Sequence, residues 1–256
     1  MTELMHPLAA AFRMDGDRSD AFLMLHGWTG SPAHFRLAAR FVNDHGFAVS
    51  VPLLAGHGTS VHHMADTGWK DWVRSALEGL DELRGDYERV HVVGLSMGGI
   101  ITLLLGATCD LASLTTINAP QRLHNRRAGM TRLYRGSRKI RPGDKDEPPP
   151  GEAAEFWVQY EDSPVGTVPD LLDVMDAARR TLPRIRVPAV IIQSKADETV
   201  RYQSAEIIYE GLGSASKRIV WLQRSSHVAL LDTERDVIHR EILSQVATGT
   251  SESASA

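Results

Sequence analysis

The sequence predicts an α/β fold, a mostly parallel sheet flanked by helices. Short apolar runs rich in β-branched residues alternate with amphipathic stretches along most of the 256 residues, the pattern of successive strand–helix units. One run, Val90-His91-Val92-Val93, reads as a buried strand and leads through Gly94-Leu95-Ser96-Met97-Gly98 into a helical stretch. The residues suited to chemistry each follow directly after an apolar run. That places them at the carboxyl ends of strands, where such sheets bind ligands.

The elements follow in order. Strands are expected at 21–25, 47–51, 90–95, 114–117, 190–193 and 218–222. Helices are expected at 32–45, 68–83, 98–105 and 203–212. The alternation stops between 121 and 183, where no strand is read and Pro148-Pro149-Pro150-Gly151 marks an irregular bend. Helical patterns flank that bend. The expected organisation is a core of residues 1–120 and 184–247 carrying a small helical cap insertion at 121–183. Residues 248–256 are rich in Ser, Ala and Thr, lack core residues and are expected to be a disordered tail.

Composition narrows the function. The chain is 43% hydrophobic and 23% charged, with a formal net charge of −4, so nothing global points to nucleic acid. The single cysteine, Cys109, excludes an internal disulfide and fits a reducing compartment. No basic n-region opens the chain and no apolar run could span a bilayer. The expectation is a cytoplasmic protein without stable membrane insertion; oligomeric state is not legible.

Charge is segregated in the insertion. Arg122, Arg126, Arg127, Arg132, Arg135, Arg138, Lys139 and Arg141 run without an acid, and Asp144, Asp146, Glu147, Glu152 and Glu155 follow. The expectation is a solvated helix face paired with the acidic run beside it, in preference to a grip on an anionic ligand or membrane surface.

The Gly94–Gly98 stretch is the chemical centre. Strand, sharp turn and helix with Ser96 at the tip is the context of a nucleophile elbow. Glycines remove the Cβ atoms that would collide in the turn, and the helix N-terminus offers free N–H groups to a developing oxyanion. A serine hydroxyl needs a base, and the base an orienting carboxylate. His227 follows the last apolar run. Asp197 follows the run before it, with Glu198 beside it as a second carboxylate. Serine, acid and base thus occur in the order Ser96, Asp197, His227. The loop His26-Gly27-Trp28-Thr29-Gly30 is expected to supply one oxyanion donor, the Trp28 N–H, and the residue after the nucleophile the other, the Met97 N–H.

No cofactor is expected. Gly56-His57-Gly58, His62 and His63 lack accompanying ligand spacing, so a structural loop near the site mouth is read there instead of a metal site. Neither a dinucleotide-binding nor a Walker A pattern is present.

With these residues together, the chain resembles the α/β-hydrolase superfamily, and more narrowly the bacterial monoacylglycerol lipases and bacterial carboxylesterases. Further matching stretches are Gly56-His57-Gly58-Thr59, Asp71-Trp72, Ile117-Asn118-Ala119, Ala205-Glu206-Ile207-Ile208-Tyr209 and His227-Val228-Ala229-Leu230-Leu231-Asp232. The resemblance implies an α/β-hydrolase fold and a Ser96–Asp197–His227 triad. It implies a small-molecule acyl ester substrate, a monoacylglycerol or a short-to-medium chain ester. It also implies Trp28 and Met97 at the substrate and a cap glutamate on the glycerol hydroxyls, for which Glu155 and Glu161 are the candidates. Trp28 replaces the Phe usual in these relatives, and the basic run and triple proline are unlike their cap. An amidase, a thioesterase, a carbon–carbon bond hydrolase and a non-catalytic binding protein remain the alternatives on the same fold.

Overall fold

The computed structural model describes residues 6–125, 127–143 and 147–249, with side chains through 246. Arg126, Asp144 and Asp146 of the charged runs, and residues 250–256 of the expected tail, lie outside the described residues.

The chain runs β1 (Phe12–Met14), β2 (Asp20–Leu25), α1 (Arg36–Asn43), β3 (Ala48–Val51), α2 (Val61–Met64), α3 (Trp69–Asp86), β4 (Arg89–Leu95), α4 (Met97–Thr108) and β5 (Ser113–Ile117). It continues with β6 (Ile140–Pro142), β7 (Asp162–Pro164), α5 (Val168–Thr181), β8 (Ala189–Ser194), α6 (Gln203–Gly211), β9 (Lys217–Leu222) and α7 (Arg235–Gly249). Seven strands form one sheet in the order β1-β3-β2-β4-β5-β8-β9. Only β1 is antiparallel to its neighbour; the rest pair in parallel. All six expected strands are present. The edge strand β1, three residues long and interrupted by Arg13, is too short to show a strand pattern.

Why the central strands are mostly apolar is plain from what covers them. In β2, Leu23 and Leu25 pack with Trp72, Leu80 and Ile101 from α3 and α4 on one face. Phe22 and Met24 pack with Ala38, Val42 and Ile238 from α1 and α7 on the other. Side chains alternate between faces, so a strand covered twice is apolar on both faces, and buried polar members such as Asp20 and His91 are hydrogen-bonded to each other. Local signals start the helices. Ser31 Oγ accepts from the Ala33 N–H just ahead of Pro32, and Asp71 Oδ2 accepts from the Gly68 N–H at the head of α3. Helix α7 carries on through Gly249, so residues 248 and 249 are helical.

Chain order reverses between β2 and β4. The loops leaving those two strands therefore flank the crevice that opens at a reversal in such sheets.

The segment 121–183 corrects two expectations. It contains strands: β6 and β7 pair as a short antiparallel ribbon, set among 3₁₀ turns at Ala128–Tyr134 and Gly151–Phe156 and followed by α5. Strands of three residues are too short to show a period of two. Second, among the described residues the basic run does not pair with the acidic run beside it. Arg132 reaches Asp173 and Asp176, Arg135 reaches Asp170 and Asp173, and Arg138 forms a two-pronged pair with Asp66. Folding brings α5 against this run, and its carboxylates Asp170, Asp173 and Asp176 are nearer than those next in sequence.

Candidate active site

Ser96 sits between β4 and α4 at φ 53°, ψ −116°, a conformation that non-glycine residues avoid. Its N–H donates to the Ile117 carbonyl at 2.8 Å. Two close approaches explain the flanking glycines. A Cβ on Gly94 would stand 2.2 Å from the Gly98 carbonyl oxygen, and one on Gly98 would stand 2.0 Å from the Leu25 carbonyl oxygen. The turn is possible only because both are absent.

Ser96 Oγ lies 2.9 Å from His227 Nε2, and His227 Nδ1 lies 2.8 Å from Asp197 Oδ2. The three residues come from the ends of β4, β8 and β9. Asp197 is fixed from its other oxygen: Oδ1 accepts from the Thr199 and Val200 N–H groups, both at 2.8 Å. Its side chain is fully buried, whereas that of His227 is 21% exposed. Glu198, the other carboxylate, is exposed and takes no part in the relay.

Several supports were not legible in the sequence. Asn118, at φ 47°, accepts from the Ser194 N–H and donates to the His227 carbonyl, each at 2.8 Å. Glu234 accepts from the N–H groups of Gln223, Arg224 and Ser225 and from the Ser225 hydroxyl, which fixes the loop ahead of His227. Desolvation pushes the Glu234 carboxyl up, but these donors outweigh it and hold it at about 2. Asp232 Oδ2 accepts from the Ser226 N–H.

The loop after β2 lies against the elbow: a Cβ on Gly27 would stand 3.3 Å from Ser96 Cβ. The Trp28 and Met97 N–H groups donate to no acceptor among the described residues. His26, fully buried, accepts from the Leu54 N–H through Nε2, and its Nδ1 faces the Gly27 carbonyl at 3.0 Å. Burial, with His57 nearby, drives its pKa well below the ordinary value, so the ring is neutral. The Gly56–Gly58 loop is tied to the cavity-lining Tyr160 through the Gly56 carbonyl, while the His57 ring itself is buried edge-to-face with His26, its Nδ1 facing the Ala55 carbonyl.

A cavity opens over Ser96 and His227. Trp28, Leu95, Pro120, Leu123, Leu171 and Val200 give it apolar walls. Gln159, Tyr160, Glu161 and Ser163 from the insertion line it as well. Of the two candidate glutamates, Glu161 is brought to the cavity. Glu155 is exposed on the Gly151–Phe156 turn and is not among the lining residues. His34, which no sequence signal marks, also lines the cavity with both ring nitrogens unpartnered among the described residues. Burial, helped by His227, holds its pKa at about 4.

Among the described residues, no group of three or more His, Cys, Asp or Glu side chains could hold a metal ion. No described helix is long and apolar enough to cross a membrane.

A nucleophile, a base and an acid in line beside unpaired N–H donors are equipped for acyl transfer. A family model described as "Alpha/beta hydrolase family" matches residues 22–240. The chain is 36% identical over 220 residues to a thermostable monoacylglycerol lipase of Bacillus sp. (strain H-257), covering 84% of this chain and 86% of the relative. It is 29% identical over 231 residues to a carboxylesterase of Bacillus subtilis (strain 168), covering 89% and 91%. Among solved structures it is similar to a metagenome-derived lipolytic enzyme, with TM-score 0.83, 30% identity and coverage of 96% and 100%.

Proposed function

Because this chain belongs to the alpha/beta hydrolase family, we propose that it is an enzyme that hydrolyses carboxylic esters through a covalent acyl-enzyme on Ser96. The observation that carries this reading is the unbroken relay from Ser96 Oγ through His227 to the buried Asp197.

His227 Nε2 takes the Ser96 proton as Oγ attacks the ester carbonyl. Asp197 keeps the other ring proton on Nδ1 and stabilises the imidazolium. The Trp28 and Met97 N–H groups receive the oxyanion. Collapse of the tetrahedral intermediate breaks the bond to the alcohol oxygen, which leaves with the proton from His227. Water, deprotonated by His227, then attacks the acyl carbonyl, and the acid departs as Ser96 regains its proton.

The substrate class is a monoacylglycerol or a short-to-medium chain acyl ester. The apolar walls suit an acyl chain, and the named relatives support the class. Residues 121–183 serve as a cap over a core of 1–120 and 184–247, with Glu161 assigned to the polar alcohol part.

Hydrolysis of p-nitrophenyl esters of increasing chain length, beside monoacylglycerols, tests the reading with Ser96→Ala as control. Turnover by the wild type and none by a folded Ser96→Ala protein is expected. An active Ser96→Ala protein overturns it. Preference for amides or thioesters over matched esters would replace the substrate class and keep the triad.

A further inference from the structure

The loop assigned to the oxyanion is held from the side of the insertion. Thr29 adopts φ 63°, a left-handed conformation that a β-branched residue resists. Three hydrogen bonds fasten this loop to the strap of residues 158–167. The Tyr160 N–H donates to the Thr29 carbonyl at 2.9 Å. The Ser31 hydroxyl donates to the Val158 carbonyl at 2.6 Å. The Trp28 indole Nε1–H donates to Thr167 Oγ1 at 3.1 Å. Residues 28, 29 and 31 are thus each bound to the strap, although more than 120 positions separate the partners.

The strap end is itself fixed. Thr167 is 1% exposed, and its hydroxyl donates to the Pro164 carbonyl at 3.0 Å. Its single proton is spent there, so Oγ1 is left as an acceptor facing the indole. The strap is fastened beyond the loop as well: the Tyr160 hydroxyl donates to the Gly56 carbonyl and accepts from the Thr59 N–H.

We propose that Thr167 is a positioning residue for catalysis, acting through the Trp28 indole to keep the Trp28 backbone N–H directed at the oxyanion. The inference rests on the oxyanion role given to Trp28 above. A loop that stores backbone strain at Thr29 relaxes once its restraints are removed, and the N–H of the preceding residue turns with it. The strap is then a fixed part of the catalytic apparatus. Oxyanion donors act in the transition state more than in the bound substrate, so loss of Thr167 Oγ1 appears in kcat and leaves KM nearly unchanged.

The test compares Thr167→Val, which keeps the shape and removes the hydroxyl, with Thr167→Ser, which keeps the oxygen. Each is assayed on a p-nitrophenyl ester beside the wild type and Ser96→Ala. Thr167→Val should lower kcat about 10- to 100-fold with KM within about twofold, and Thr167→Ser should restore it. Inhibition by an alkyl trifluoromethyl ketone, whose hemiketal oxyanion uses the same donors, should weaken in parallel with kcat. Should Thr167→Val fail to fold, Thr167→Ala removes the same acceptor in a smaller side chain and should show the same split against Thr167→Ser. An unchanged kcat in a folded Thr167→Val protein overturns the proposal, as does an equal loss in Thr167→Ser. Residual activity in Ser96→Ala would instead overturn the underlying catalytic reading, so the two failures are distinct.

Discussion

Asn118 Nδ2 donates to the carbonyl oxygen of His227 at 2.8 Å. The same amide accepts from the Ser194 N–H at 2.8 Å. One side chain at the end of β5 therefore fixes the strand end that delivers Asp197 against the loop that carries His227. Asn118→Ala would leave the buried Ser194 N–H without its partner. We expect a loss of about 1–3 kcal/mol and a fall in kcat, read from urea unfolding and ester hydrolysis. Wild-type kcat in the alanine variant would contradict this account.

Ser96 holds φ 53°, strain of roughly 1–3 kcal/mol stored at the nucleophile. Ser96→Gly should abolish hydrolysis and raise stability by about 1 kcal/mol, because glycine adopts this backbone without steric cost. Ser96→Ala should abolish hydrolysis without that gain. Thermal unfolding of the pair separates relieved strain from the loss of a hydroxyl; equal Tm values would argue against strain at the elbow.

Asp197→Asn should lower kcat by roughly 10³- to 10⁴-fold, since a neutral amide neither holds the His227 tautomer nor stabilises the imidazolium. Glu198→Gln should leave kcat unchanged, because Glu198 is exposed and outside the relay. The reverse ranking of the two variants would move the acid by one residue.

Four buried histidines make the fold sensitive to mild acid. Burial holds His34, His57 and His239 at about 4 and His26 well below its ordinary value of 6.5. The unfolded chain binds protons on these rings between about pH 6.5 and 4, where the native protein does not. Their contribution is complete above pH 6.5 and is lost as pH falls, with a slope of up to about 1.4 kcal/mol per pH unit for each ring. Asp20, held at about 2 with His91 and Arg89 outweighing its desolvation, adds its loss only below its ordinary value of 3.8. Tm should therefore decline steeply from pH 6.5 to 4.5. A flat profile would mean that these rings are not neutral and buried.

The sequence by itself determined the six apolar strands, the elbow at Ser96 and the order of serine, acid and base. These are local facts: a doubly covered strand is apolar on both faces, and a turn this tight admits only glycine at 94 and 98. Tertiary structure decided the rest. The structure brings the Asp197 carboxylate, and not that of its neighbour Glu198, against His227. The bridging role of Asn118 arises only once β5, β8 and β9 lie side by side. The ribbon of β6 and β7 is too short for a period, and the ion-pair partners of Arg132, Arg135 and Arg138 are set by nearness in space. The link from Trp28 to Thr167 spans 139 positions. No local pattern encodes such a contact, because it exists only once loop closure has been offset by the packing of the whole sheet.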